Sequence, residues 1–334
     1  MNHFIFKSIL VIHVTRIGDT VMTSPILREL YRAYPDSEIM FLGHPKRSEI
    51  IRHIPGISSV GSITKKVAPI LGWFSRNKWD LVIVYGFDKA LVKYGLRVGR
   101  KKIAFNQNDG IIDNALYRPI DKPLHNSAHG IDQLFLLLRL IEIRPKSKAL
   151  TYSITKEEEL WSKNKLDDYD IKSTDVLIGV VIESFPTKPY RDWPVENFIS
   201  LCLKIKKKYN NVKFVLLGGD ISKNKKSEFL SRLLNDMIDL SGSLTLRQTA
   251  SIINIMDFYI GVDTGPSHIA GALKKPMVIM YHCLHPSKYL APPEHPDLHI
   301  FDHPKDESKC TTDDDMSKIL VGDIFELIKL KSKS

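Results

Sequence analysis

The chain carries the run Asp263-Thr264-Gly265-Pro266-Ser267-His268 between an apolar stretch, Asp257-Phe258-Tyr259-Ile260, and a stretch of small and apolar residues ending at Leu273. That order reads as a short buried strand, a turn capped at Thr264 or Gly265, and a helix with Pro266 at its first position, where the missing N–H costs nothing. Such a turn aims backbone N–H groups and the positive end of a helix dipole at one point, which suits a phosphate. Asp263, at the strand end, is suited to accept hydrogen bonds from a sugar hydroxyl. The same residues also spell ordinary turn-and-cap chemistry, so their spacing leaves both readings open. A second candidate is Thr15-Arg16-Ile17-Gly18-Asp19-Thr20, which follows the β-branched run of residues 8–14. Gly18 permits close backbone approach, and Asp19 projects toward whatever fills the loop, unless it caps a helix.

Other reactive residue types point away from their usual chemistry. Five of the twelve histidines, His282, His285, His295, His299 and His303, fall close together, but prolines interrupt them and no HExxH occurs. No functional metal is expected there. Cys202, Cys283 and Cys310 are far apart and form no CxxC or CxxxC set. Neither a disulfide framework nor a structural zinc site is expected, and a reducing compartment fits. No GxGxxG follows an early strand, no GxxxxGK[ST] occurs and no GxSxG occurs. A dinucleotide oxidoreductase, a P-loop NTPase and an α/β-hydrolase are therefore disfavoured.

The elements that must hold these residues alternate. Buried strands are expected at residues 8–14, 38–42, 60–63 and 80–85, with helices between them, the first reaching residue 34 with Ser24-Pro25 as a start or kink. A helix over residues 129–141 closes this half. Residues 143–169 are polar and read as a linker with a short helix. A second series follows, with strands at residues 176–182, 213–217, 238–240, 257–260 and 276–281 and helices at 195–209, 246–256 and 316–330. Two doubly wound α/β halves result, which the length of 334 residues allows.

The hydrophobic fraction of 43% is that of a globular chain. No apolar run reaches the roughly 20 residues that span a bilayer. The N-terminus lacks signal-peptide features, so a soluble, cytoplasmic protein is expected. The net charge of +10 is uneven: residues 1–160 hold 24 Lys+Arg against 15 Asp+Glu, and residues 161–334 hold 24 against 23. An anionic partner of the first half is one reading, and a solvated basic face is the other.

Several motifs resemble those of glycosyltransferase family 9, the lipopolysaccharide heptosyltransferases. Arg16-Ile17-Gly18-Asp19-Thr20-Val21-Met22-Thr23-Ser24-Pro25 is similar to its N-terminal motif. Asp263-Thr264-Gly265-Pro266-Ser267-His268-Ile269-Ala270, with Lys275-Pro276, is similar to its donor motif. Arg191-Asp192-Trp193-Pro194 resembles its basic-x-Trp-Pro segment, and Leu217-Gly218-Gly219 and Leu240-Ser241-Gly242 fall in the family order. Arg191 departs from the lysine common at that position.

The resemblance implies a GT-B fold, two Rossmann-like domains with parallel sheets facing across a cleft. Residues 1–160 would bind acceptor and 161–334 the nucleotide sugar, with the terminal helix packing back on the first domain. It also implies an inverting, metal-independent transferase without cofactor, moving a heptose from ADP-heptose to a lipopolysaccharide core or related anionic glycan. Asp19 would be the base. Thr264, Gly265 and Arg191 would meet the diphosphate, Asp263 the sugar, Ser184 and Thr187 a phosphate, Asp220 the ribose, Leu244 the adenine, and His268 the diphosphate. Arg16, Gly18, Arg97, Arg100, Lys101, Lys102 and His129 would face the acceptor, and the basic residues could also touch the inner membrane surface. Nucleic acid is not an expected partner. The competing readings are a sugar-nucleotide 2-epimerase of similar fold and a basic, non-catalytic glycan- or nucleic-acid-binding protein.

Overall fold

A computed structural model describes residues 4–330 except 73–75, 125, 170, 186, 220 and 234–235. The chain divides into two compact units, Met1–Ser153 and Ile154–Ser334.

The first unit contains strands β1 (Ser8–Ile12), β2 (Glu38–Gly43), β3 (Ser59–Ser62), β4 (Trp79–Val84) and β5 (Gly99–Ala104). Its helices are α1 (Ile17–Met22), α2 (Ser24–Ala33), α3 (Ala68–Leu71), α4 (Lys89–Val98), α5 (Gly110–Asn114) and α6 (Gly130–Arg139). The sheet is parallel, in the order β3-β2-β1-β4-β5. Its central strands are covered on both faces, which is why β1 reads as a continuous apolar run. Leu10, Ile12, Val82 and Val84 pack with Val92 and Val98 of α4. The helix expected after β1 is two helices. Thr23 ends α1 and begins α2, because the ring of Pro25 clashes with the carbonyl one turn back and supplies no N–H.

The second unit contains strands β6 (Val176–Val181), β7 (Val212–Leu216), β8 (Met237–Asp239), β9 (Phe258–Val262), β10 (Met277–Tyr281) and β11 (Leu298–Asp302). Its helices are α7 (Lys156–Asp167), α8 (Val195–Lys208), α9 (Lys223–Leu233), α10 (Leu246–Ile255), α11 (Gly265–Ala272), α12 (Ser287–Leu290) and α13 (Val321–Leu327). The parallel order is β11-β10-β9-β6-β7-β8. The edge strand β11 holds His299 in a segment read above only as a histidine cluster. Its half-exposed, mixed composition carries no buried-strand signal.

Two expectations differ from the arrangement found. The polar stretch read as a linker contains α7, which belongs to the second unit. Its capping box joins Thr155 and Glu158, Arg247 of α10 pairs with Glu158, and the Ser251 hydroxyl donates to the Glu158 carbonyl. The terminal helix expected over residues 316–330 is only α13, preceded by a 3₁₀ turn. Met316, Ile319, Ile324 and Ile328 are buried in the core of the second unit with Phe198 and Cys202 of α8. The Trp193 indole N–H also donates to the Ile319 carbonyl at 3.0 Å. The apolar face of this segment therefore covers its own unit.

Candidate active site

In doubly wound sheets, ligands bind beyond the carboxyl ends of the strands where the strand order reverses. In the second unit that point lies between β6 and β9. The loop after β6 carries Ser184, Thr187 and Arg191, and the turn after β9 carries Asp263, Thr264 and Gly265. The two meet where Arg191 reaches Asp263. Arg191 Nη2 donates to the Asp263 carbonyl at 2.9 Å and also pairs with Asp263 Oδ2. The other carboxylate oxygen, Oδ1, lies 3.2 Å from His268 Nε2. All three side chains are buried. A buried carboxylate is stable only when its lone pairs are matched, and here arginine and imidazole match them. Asp263 is thus the group that orients Arg191 and His268, whereas its type and place alone suggested a ligand for sugar hydroxyls.

Helix α11 begins beside this cluster, with Thr264 at its N-cap and Pro266 in its first turn. The Thr264 hydroxyl makes no capping bond. It lies 3.3 Å from Ser267 Oγ, which donates to the Val262 carbonyl at 2.6 Å and meets the Tyr259 hydroxyl at 3.0 Å. This buried hydroxyl chain stiffens the turn from β9 into α11. The first-turn amides have no acceptor within the helix and face out of its N-terminal end, where Thr264 follows Asp263.

The remaining donor-site candidates divide. The Ser184 hydroxyl donates to the Lys188 carbonyl at 3.0 Å, and its amide donates to Asp192 Oδ1 at 2.6 Å. Ser184 therefore shapes the loop, and Lys225 ties that loop down by bridging Glu183 and Asp192 at 3.3 and 2.8 Å. Thr187 is exposed on the same loop. Leu244 is half-buried after β8, at the carboxyl side of the sheet but two strands from β6. Asp220 lies outside the described residues. Tyr190 escaped the sequence reading. Its hydroxyl meets His285 Nε2 at 3.1 Å, and its ring packs edge-on against His282. Its position beside Arg191 was the only available signal.

In the first unit the order reverses between β1 and β4. The loop after β1 carries Arg16, Gly18 and Asp19. Arg16 is the N-cap residue of α1, so Asp19 lies inside the first turn and is not the cap. Asp19 Oδ2 accepts from the Thr15 hydroxyl at 2.9 Å, and the Asp19 carbonyl accepts from the Thr23 hydroxyl at 3.0 Å. Thr23 Oγ1 in turn lies 2.7 Å from His13 Nδ1. The hydroxyl of Thr23 has one hydrogen, already given to Asp19, so His13 is the donor in that contact. Burial holds the His13 pKa down at about 4; Asp19 opposes this and Lys122 adds to it. His13 is thus a neutral, buried prop for the Asp19 turn, and nothing in its spacing announced it.

The basic residues chosen from sequence do not gather here. Arg100 and Lys101 lie in the first half of β5, in register with the start of β4, at the amino end of the sheet. Asp19 lies beyond its carboxyl end. A strand of this length separates them by roughly 15 Å or more. Arg100 pairs with Asp80 at 3.1 Å, and Lys101 is held between the rings of Phe4 and Tyr117. Lys102 follows in the same strand. Arg97 donates to the Pro69 carbonyl at 3.0 Å. His129 caps α6, its Nδ1 accepting from the Ile131 amide at 3.2 Å. Other cations occupy the carboxyl side: Arg47, which donates to the Thr15 carbonyl at 2.8 Å, exposed Lys65 and Lys66 after β3, and Lys122 near His13.

The cysteines also correct an expectation. Cys283, just after β10, and Cys310 form a disulfide across 27 residues, although their spacing suggested no pairing. Parallel strands and their return loops bring together residues that no local motif joins. Cys202 is free and buried, and burial pushes its thiol above the ordinary range.

Comparison with known proteins agrees with this layout. Residues 86–319 match the family model for glycosyltransferase family 9 (heptosyltransferase). Lipopolysaccharide heptosyltransferase 3 of Escherichia coli K12 is 23% identical over 282 residues, covering 79% of each chain. A glycosyltransferase family 9 structure from Veillonella parvula superposes with a TM-score of 0.82 at 17% identity, covering 97% of both chains. The ADP-heptose lipopolysaccharide heptosyltransferase II of E. coli superposes with a TM-score of 0.75 at 16% identity, covering 96% of this chain and 97% of the other. The shared fold is the GT-B class, built from two Rossmann-like domains with parallel sheets.

Proposed function

The chain belongs to glycosyltransferase family 9 and is a glycosyltransferase, and from that premise we propose that it moves a heptose from ADP-heptose to an anionic lipopolysaccharide core or related cell-envelope glycan, with inversion and without a catalytic metal. The observation that carries this reading is the buried Arg191–Asp263–His268 cluster beside the start of α11. A metal-free transferase must stabilise a leaving diphosphate with fixed positive groups. A guanidinium and helix amides at one point provide them. The name of the E. coli relative supports ADP-heptose as donor.

In this reading the acceptor hydroxyl attacks the anomeric carbon while Asp19 takes its proton. The bond from that carbon to the diphosphate oxygen breaks, and the electron pair leaves with ADP. Thr15 orients the Asp19 carboxylate, and the His13–Thr23 pair fixes its backbone. Thr264 and Gly265 serve the diphosphate, with Arg191 held by Asp263. Arg16, Arg47, Lys65, Lys66 and Lys122 are the cations placed to meet an anionic acceptor.

Unit Met1–Ser153 holds 23 Lys+Arg against 12 Asp+Glu, which supports peripheral contact with an anionic membrane face from the cytoplasm. Among the described residues, no helix is long and apolar enough to cross a membrane.

The test is transfer from ADP-heptose to core glycolipid, followed by mass spectrometry with and without chelator. Asp19→Asn should reduce transfer by at least a hundredfold while ADP-heptose still binds within about twofold. Transfer at the parental rate by this variant would remove Asp19 as base. A strict divalent requirement would overturn the metal-free chemistry.

A further inference from the structure

We propose that His282, Cys283 and Cys310 form a binding site for a soft divalent cation of the Zn²⁺ or Fe²⁺ type, which becomes available when the Cys283–Cys310 disulfide is reduced. The ligand atoms of the three residues lie within 4.8 Å of one another. His282 Nδ1 is 4.0 Å from the sulfur of Cys283 and 3.9 Å from that of Cys310. Around a tetrahedral cation with metal–sulfur and metal–nitrogen distances of about 2.3 and 2.0 Å, a nitrogen and a sulfur sit about 3.5 Å apart and two sulfurs about 3.8 Å. The imidazole is therefore already near its place. The change required is separation of the sulfurs once their bond is broken.

The ring is set up as a ligand. His282 Nε2 lies 2.6 Å from the Asp314 carbonyl, which can only accept, so Nε2 carries the proton and Nδ1 presents its lone pair on the sulfur side. An outer hydrogen bond from the second ring nitrogen to a carbonyl is the usual support for a metal-bound histidine. Edge-on packing of Tyr190 at 4.9 Å and the neighbouring His303 ring at 5.8 Å hold the plane. Nδ1 also accepts from the Leu284 amide at 3.1 Å, a contact that a cation would replace. Cys283 is buried at the end of β10, whereas Cys310 is half-exposed on a surface loop, which gives reductant and cation an approach.

The chemistry balances. An external dithiol delivers two electrons and two protons to the disulfide and is itself oxidised. The two thiols lose those protons when the cation binds. Two thiolates and an imidazole favour Zn²⁺ or Fe²⁺ over Mg²⁺ or Ca²⁺, and three protein ligands leave a fourth position for solvent. In either redox state the end of β10 stays tied to the loop bearing Cys310, so the site's role is structural, and Tyr190 links it to the Arg191 loop.

Co²⁺ titration of the full-length protein, reduced with a phosphine and kept anaerobic, tests this. We expect one Co²⁺ per chain, with a thiolate-to-cobalt band and tetrahedral d–d bands, displaced by Zn²⁺. Untreated disulfide protein should show no such bands. Cys310→Ser should abolish them and His282→Ala should weaken Co²⁺ binding at least tenfold, while Cys202→Ser leaves them intact. Reduced wild-type protein without the bands overturns the proposal, as do bands that survive Cys310→Ser. The comparison of reduced with oxidised wild type needs no substitution, so it decides even if a variant folds poorly.

Discussion

Arg191, Asp263 and Asp19 at the candidate site are each answered by a named partner, and the partners set what substitution should do. Arg191 grips both the carbonyl and the carboxylate of Asp263. Arg191→Ala leaves Asp263 buried with His268 alone, so a loss of about 3–5 kcal/mol is expected by denaturant unfolding. Arg191→Lys keeps the charge but loses the fork, so weaker ADP binding with a smaller stability loss is expected by calorimetry. ADP affinity unchanged in the lysine variant would show that the fork has no part in binding. His13 gives a pH dependence. Its pKa is held at about 4 in the fold against an ordinary 6.5. Between those values the unfolded chain takes up a proton that the folded chain refuses. Its contribution is therefore complete above pH 6.5 and lost as pH falls toward 4, in total roughly 3 kcal/mol. His13→Asn, which keeps a donor for Thr23, should flatten the stability profile over that interval. A slope matching the wild type would assign the dependence to other groups.

Among elements, α7 is the clearest case of placement by partners. Its local signals, a capping box after a polar stretch, predict a helix but not its owner. Ownership comes from buried Arg247 on α10 meeting Glu158. Arg247→Ala should free α7, with a loss of about 2–4 kcal/mol and a selective rise in amide exchange across residues 156–167. Exchange that rises uniformly over the second unit would argue against a local anchor. The strands were readable because central parallel strands are apolar along their whole length. The edge strand β11 was not, because one side and one face remain open to water. The Asp263-Thr264-Gly265-Pro266 turn was readable because its capping grammar is local. The orientation of the Asp263 carboxylate was not, because Arg191 lies 72 residues earlier.

For the whole molecule, the charge asymmetry is a property of composition, but its use depends on which end of the sheet each cation occupies. Arg100 and Lys101 sit at the amino end of the first sheet, and Lys65 and Lys66 follow the carboxyl end of β3. Charge reversal at Lys65 and Lys66 together should raise the acceptor KM about tenfold or more at low salt and reduce its salt dependence. Reversal at Arg100 and Lys101 should leave the acceptor KM within about twofold. The opposite result would move the acceptor to the amino end of the sheet.

The sequence by itself determined two doubly wound α/β halves, the strand-to-helix turns at Asp19 and Asp263, the family, and the basic bias of the first half. Those features are written in local periodicity, caps and short motifs. The tertiary structure decided the rest: that Asp263 serves Arg191 and His268, that His13 props the Asp19 turn, and that Arg100 and Lys101 lie at the amino end of their sheet, away from Asp19. It also decided that Cys283 and Cys310 meet beside His282. The Arg191–Asp263 and Cys283–Cys310 contacts depend on which separated segments the parallel sheet brings together at its carboxyl edge, and that alignment is set by strand order, which no local stretch of residues encodes.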